Sequence, residues 1–180
     1  MPNWCSNYTH FSHADKSQLE RLKTALAEER LFSEFVPNPA GKDAEGWYEH
    51  NISAWGTKWD TGADIEHDIE FDEEDRVYTL SVSFDTAWSP PLSFYKRMEE
   101  VGWQIIGYYY EPGMNFCGKW EDGEDDYYDI PTSPEVAEDF LPEDINEVFE
   151  ISQMMFMQWI DENPDACKQY DRDYNEDEHS

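Results

Sequence analysis

Two hydrophobic periods take turns along the first part of the chain. Leu19, Leu22, Ala25 and Leu26 fall at helical spacing and predict a helix over 15–30, with Ser17 and Glu20 in the relation of a capping box. Residues 64–72 alternate strictly, placing Ile65, His67, Ile69 and Phe71 on one face of a strand. Residues 77–84 alternate again, with Tyr78, Leu80, Val82 and Phe84 inward, and Asp72-Glu73-Glu74-Asp75 predicts the hairpin turn between the two. Leu92, Tyr95, Met98 and Val101 mark a second helix over 89–101, with Ser89 as N-cap, Pro90 at the first helical position and Gly102 just past the end. The aromatic and polar run 4–12 and the apolar run 103–110 supply a first and a last strand.

The resulting order, β-α-β-β-α-β, is an α+β, ferredoxin-like arrangement, an antiparallel sheet with two helices on one face. It carries a loop-rich insertion over 38–62 and an added hairpin over 114–130 that turns near Asp122-Gly123. The predicted domain spans 1–130. A helical acidic C-terminal extension follows over 131–170, with starts at Ser133-Pro134-Glu135 and Pro142-Glu143-Asp144. Its stripe of Ile145, Val148, Phe149, Ser152, Met155, Phe156, Trp159 and Ile160 is expected to pack against the domain or to form a dimer face, not to hold a cofactor. Residues 171–180 read as an acidic, solvated tail.

Charge narrows the partners. The chain has 42 Asp+Glu against 12 Lys+Arg, a formal net charge of −30. Residues 1–110 hold 20 acidic and 9 basic side chains, net −11, and residues 111–180 hold 22 and 3, net −19. Such a surface repels nucleic acid and anionic membranes over a Debye length of about 8–10 Å and favours a basic protein partner. Direct nucleic-acid binding needs a basic face, and the basic residues are scattered. No apolar run approaches the roughly 20 residues of a membrane span. No secretory signal is visible, and three cysteines (Cys5, Cys117, Cys167) without a Cys-x-x-Cys spacing fit reduced thiols in a cytoplasm.

The usual catalytic motifs are missing, and carboxylate pairs are too common here to single out an acid–base couple. The expectation is a non-enzymatic protein without cofactor or metal. His67 reads as a hydrogen-bonded core histidine.

Four local clusters are less ordinary: Pro2-Asn3-Trp4-Cys5-Ser6-Asn7, Trp55-Gly56-Thr57-Lys58-Trp59-Asp60, Thr86-Ala87-Trp88-Ser89-Pro90-Pro91, and Tyr110-Glu111-Pro112-Gly113 with Phe116 and Gly118. In these motifs and their order, residues 1–120 resemble the YubB-type ferredoxin-like domain family, found on phage and plasmid genomes and without an assigned function. The resemblance implies a ferredoxin-like fold and a mobile-element origin, and it implies no activity.

Two candidate sites follow from the residues. Lys58, flanked by Trp55 and Trp59, predicts an ammonium over an indole face paired with Asp60, with Trp88 closing the same side. Together with Trp4, Asn7, Tyr110 and Glu111 these form either a pocket for a sugar or nucleobase or an aromatic minicore. The outward positions of the predicted strand 64–72, namely Asp64, Glu66, Asp68, Glu70 and Asp72, put five carboxylates about 6.7 Å apart on one face. Glu121, Asp122, Glu124, Asp125 and Asp126, with Asp129, add a second anionic stretch. A charge of 30 matches roughly 50 Å of duplex DNA at one charge per about 1.7 Å, close to the size of the folded chain. The expected function is that of an acidic inhibitor that occupies the nucleic-acid groove of a basic host protein, a defence or DNA-handling enzyme. The alternative is a small-ligand or carbohydrate-binding module built on the Trp motifs.

Overall fold

The computed structural model describes residues 3–41, 44–65 and 67–164. The chain is α+β and divides into two compact units, Met1–Asp129 and Ile130–Ser180. In the first, one antiparallel six-stranded sheet has the order β2-β3-β1-β4-β5-β6. The strands are β1 (Trp4–His13), β2 (Glu70–Asp72), β3 (Val77–Ala87), β4 (Gln104–Glu111), β5 (Phe116–Glu121) and β6 (Glu124–Asp129). The helices of this unit are α1 (Lys16–Ala27), α2 (Leu31–Phe35), α3 (Trp47–Trp55) and α4 (Leu92–Glu99).

The central strand β1 fixes which side is covered. Cys5, Asn7, Thr9 and Phe11 are buried on one face, while Ser6, Tyr8, His10 and Ser12 alternate to the other. Leu19, Leu22 and Leu26 of α1 and Phe94, Tyr95 and Met98 of α4 join Phe11, Leu80, Val82, Phe84 and Ile105 in one core. Both helices therefore bury their apolar stripes on the same sheet face. Each fully buried Leu or Phe contributes about 1.5–3 kcal/mol. Across the other face, Tyr8 sits opposite Ser83 and Tyr108, and Tyr108 opposite Lys119.

Several boundaries differ from the sequence reading, each for a local reason. The helix cap at residue 15 is Asp15, whose carboxylate accepts from the Ser17 N–H at 2.8 Å; Ser17, through its side chain first and its N–H second, lowers the Asp15 pKa, and the Ser17–Glu20 box is not used. Ser89 does not cap the second helix, which starts at Leu92; its hydroxyl donates to the Gly56 carbonyl instead. The insertion is not all loop. Trp47–Trp55 is helical, bracketed by Gly46 and Gly56 in left-handed conformation (φ 78° and 87°), and only Asn51, Ala54 and Trp55 of it are buried, too few to print a long stripe. The strand expected over 64–72 pairs only over 70–72. Ile65 and Ile69 still pack against the core, but His67 is exposed and is not a core histidine. Phe71 is 50% exposed and lies against Tyr78 at 4.8 Å.

The β5–β6 hairpin turns at Asp122-Gly123, both at positive φ, the two-residue turn whose twist matches the flanking strands. In the second unit, α5 (Pro134–Phe140) and α6 (Glu143–Phe149) begin near the two expected starts, and the stripe from Ile145 to Ile160 is divided between α6 and α7 (Ile151–Glu162). Glu150, at φ 52°, breaks the path, and Asn146 spans the break by accepting from the Ser152 N–H and donating to its hydroxyl. Ile145 and Ile151 are buried, while Phe156 and Trp159 remain exposed and stacked on each other at 6.2 Å. The tail at 171–180 and Cys167 lie outside the described residues. No described helix is long and apolar enough to cross a membrane.

Candidate functional site

The two tryptophan motifs meet in space. The Thr57 hydroxyl donates to the Ala87 carbonyl at 3.0 Å, and the Ser89 hydroxyl donates to the Gly56 carbonyl at 2.6 Å. Four residues on, the Thr61 hydroxyl donates to the Asp85 carbonyl at 2.8 Å. Segment 57–61 is thus stitched along the β3 edge beyond the short β2. Gly62 lets it press on the end of α1, since a Cβ there would fall 2.8 Å from the Glu29 Cα.

This stitching divides the sequence-nominated pocket residues into two groups. Trp59 and Trp4 lie at the surface with ring centres 6.1 Å apart, and the Lys58 ammonium sits 4.5 Å from the Trp59 ring centre and 5.8 Å from that of Tyr48. Trp55, by contrast, is buried against Phe32, and its indole N–H donates to the Val36 carbonyl at 2.8 Å. Asp60 is not the counter-ion of Lys58. Its two oxygens accept from the backbone N–H groups of Phe32, Ser33 and Thr61 at 2.7–3.0 Å, which satisfies the start of α2. Asn7 is buried and donates to the Cys5 and Phe84 carbonyls and the Thr86 hydroxyl. Glu111 is buried and clasps the β4–β5 turn by accepting from the Gly113 and Met114 N–H groups. Tyr110 is half-buried, with its hydroxyl pKa raised by burial first. Trp88 is 51% exposed at φ 73°, and its N–H donates to the Asn3 carbonyl.

A cleft joins the surface group. A cavity of about 660 Å³ is lined by Trp47, Trp55, Trp59, Asp60 and the acidic pair Glu28 and Glu29. A neighbouring one of about 530 Å³ shares Glu29 and Asp60 and adds Trp4 and Asp85. Glu28, Glu29 and Asp85 were not nominated from sequence. The pair follows a helix end and carried no spacing signal, and Asp85 arrives only through strand register. Trp88 lines neither cavity.

The described acidic residues are exposed, Glu121 only partly, and are not arranged as one strand face. Asp64 and Asp68 lie outside the strand, Asp68 within 3.5 Å of the Lys23 ammonium. Glu66 lies outside the described residues. Glu70 and Asp72 are on β2, and Asp72 folds the hairpin by accepting from the Glu74 and Asp75 N–H groups. Glu121 pairs with Lys119 at 2.8 Å, Asp122 makes the turn, and Glu124, Asp125 and Asp126 run along β6. Strands β2 and β6 are opposite edges of the sheet, five strand spacings or about 24 Å apart. The two acidic stretches therefore do not merge into a continuous surface.

Comparison with protein-family models, curated proteins and solved structures returns no match. The chemistry of the site stands on its own geometry. Among the described residues no group of three His, Cys, Asp or Glu could hold a metal ion. Cys5 and Cys117 are buried free thiols; burial raises both, Cys117 to about 12, and Glu111 adds to the rise at Cys5. Neither has the low pKa of an activated nucleophile.

Proposed function

We propose that this is a non-enzymatic, mobile-element-encoded protein of the host cytoplasm that engages a basic protein partner through its acidic surface. The observation that carries this reading is the net charge of −30 together with carboxylates on both edges of one sheet. Exposed Glu70, Asp72, Glu73, Glu74 and Asp75 stand at one edge, and Glu124, Asp126 and Asp129 at the other. Acid on edge strands also deters edge-to-edge pairing, but 30 excess charges exceed what edge protection needs. In its sharpest form the partner is a nucleic-acid-binding defence or DNA-handling enzyme, and this chain takes the place of the nucleic acid. The strand order β2-β3-β1-β4 supports reading the first unit as a ferredoxin-like domain, extended by β5 and β6 and akin to the YubB-type family.

The test is capture from a host lysate at low salt, followed by competition. A mimic is displaced by the partner's own DNA or RNA. A partner that holds this chain and its nucleic acid together without loss of affinity ends the mimic version. A second reading, a small-ligand or carbohydrate module, is favoured by the aromatic-walled cleft of Trp47 and Trp59. Saturable oligosaccharide binding that is lost in Trp59→Ala would select it.

A further inference from the structure

On the far end of the same core, a cavity of about 500 Å³ collects hydrogen-bond donors in a chain that is otherwise short of them. It is lined by His13, Gln18, Arg21 and Arg97, with Phe35 and Trp103 as its aromatic wall. These include two of the four arginines among the described residues. None of the sequence motifs pointed here, because the four donors come from β1, α1 and α4 and converge only in the fold.

Two of the donors are held in place. The Arg21 guanidinium bonds Glu34 through Nε and Nη2 and lies 4.5 Å from the Phe35 ring centre, and among the described residues Nη1 has no hydrogen-bond partner. His13 packs on Trp103 at 5.1 Å, and its Nδ1 accepts from the Asp15 N–H at 3.0 Å. In the neutral ring this bond places the proton on Nε2, the nitrogen facing Gly102 just past α4. Arg97 is exposed and has no carboxylate within 4 Å among the described residues, so its charge is unmatched locally. Glu100 is the one carboxylate on the lining.

We propose that this cavity binds a small phosphate monoester. Guanidinium forks match phosphate oxygens: Arg97 offers a whole fork, and Arg21, held by Glu34 through Nε and Nη2, adds its remaining edge. The volume exceeds what inorganic phosphate fills and leaves room for an organic body against Phe35. The chain's overall negative charge does not forbid this, because charges beyond about 8–10 Å are screened at physiological salt while the cavity's own donors act at contact.

The experiment is calorimetric titration of the full chain with AMP and with inorganic phosphate at low salt, comparing wild type, Arg97→Gln and Lys96→Gln. Lys96 neighbours Arg97, is equally exposed and is not on the lining, so its variant makes the same change in net charge without touching the cavity. The expected result is saturable 1:1 binding, tighter for AMP than for phosphate, weakened at least tenfold by Arg97→Gln and less than twofold by Lys96→Gln. Binding of neither probe, or equal weakening by both variants, overturns the proposal. Circular dichroism of both variants matching wild type excludes unfolding as the cause, which is expected because both side chains are exposed.

Discussion

The Tyr109 hydroxyl crosses β5 and donates to Asp125 Oδ1 on β6 at 2.7 Å, passing over Gly118. Gly118 lies directly opposite Tyr109, and a Cβ there would collide with the tyrosine ring and with the Asp126 carbonyl. Gly118→Ala is therefore expected to destabilise the first unit by about 3 kcal/mol, at the upper end of overpacking costs. Urea unfolding followed by tryptophan fluorescence measures it; a change below about 1 kcal/mol would show that the ring moves aside freely.

The same bond sets a pH response. Burial, then the neighbouring Asp126 charge, raises the Asp125 carboxyl above its ordinary 3.8 despite the opposing pull of the Tyr109 hydrogen bond. Glu99, half-buried and accepting from the Trp120 indole N–H, is raised for the same leading reason. A carboxyl raised in the folded state binds its proton more tightly there than in the unfolded chain. Its contribution to stability is complete below the ordinary carboxylate range and is lost as pH rises through the raised value. Asp125→Asn with Glu99→Gln should thus flatten the fall in urea midpoint as pH rises above the ordinary carboxylate range. An unchanged slope would assign that fall to the remaining surface charge alone.

Asp60 and Lys58, two residues apart, should behave oppositely. Asp60→Ala removes the acceptor of three backbone N–H groups and is expected to cost about 2–3 kcal/mol. Lys58→Ala removes only an ammonium lying on exposed rings and should stay within about 0.5 kcal/mol. Equal effects in thermal unfolding would restore the ion pair that the motif alone predicts.

What the sequence made legible was periodic burial. Leu19 to Leu26, Tyr78 to Phe84 and Leu92 to Met98 each bury one face on the same core, so their spacing carried the elements. The Asp122-Gly123 turn was legible because few residue pairs accept positive φ at both positions. The strand expected over 64–72 forms, among the described residues, only from Glu70, because alternation records which side chains face inward, not whether a neighbour supplies hydrogen bonds; Ile65 and Ile69 pack against the core from outside the paired strand. At the cleft, Trp4 and Trp59 announced themselves by residue type, and so did Lys58, which lies on the Trp59 ring but lines neither cavity. Asp60 lines the cleft as expected but accepts from backbone N–H groups and does not pair with Lys58, and Glu111 lines neither cavity, because a carboxylate that satisfies backbone N–H groups looks, in sequence, like one that meets a charged partner or a ligand.

The separation of Trp59 from Trp88 gives the sharpest test of the cleft. Both indoles are exposed and both belong to the stitched motifs, yet only Trp59 lines the cavity that carries Glu28, Glu29 and Asp60. Large aromatic side chains in such clefts dominate binding energy, and truncating one typically costs more than about 1 kcal/mol, often 2 or more. Trp59→Ala should therefore weaken binding of the captured basic partner about tenfold or more, chiefly through faster dissociation. Trp88→Ala should leave that affinity within about twofold, since the left-handed turn at this residue is held by its own N–H bond to the Asn3 carbonyl. Neutralising the β2 hairpin, for instance Glu73→Gln with Glu74→Gln, should instead slow association and flatten its salt dependence. If Trp88→Ala proves the weaker binder and Trp59→Ala does not, the contact surface lies on the Trp88 side of the motif and the cleft is structural.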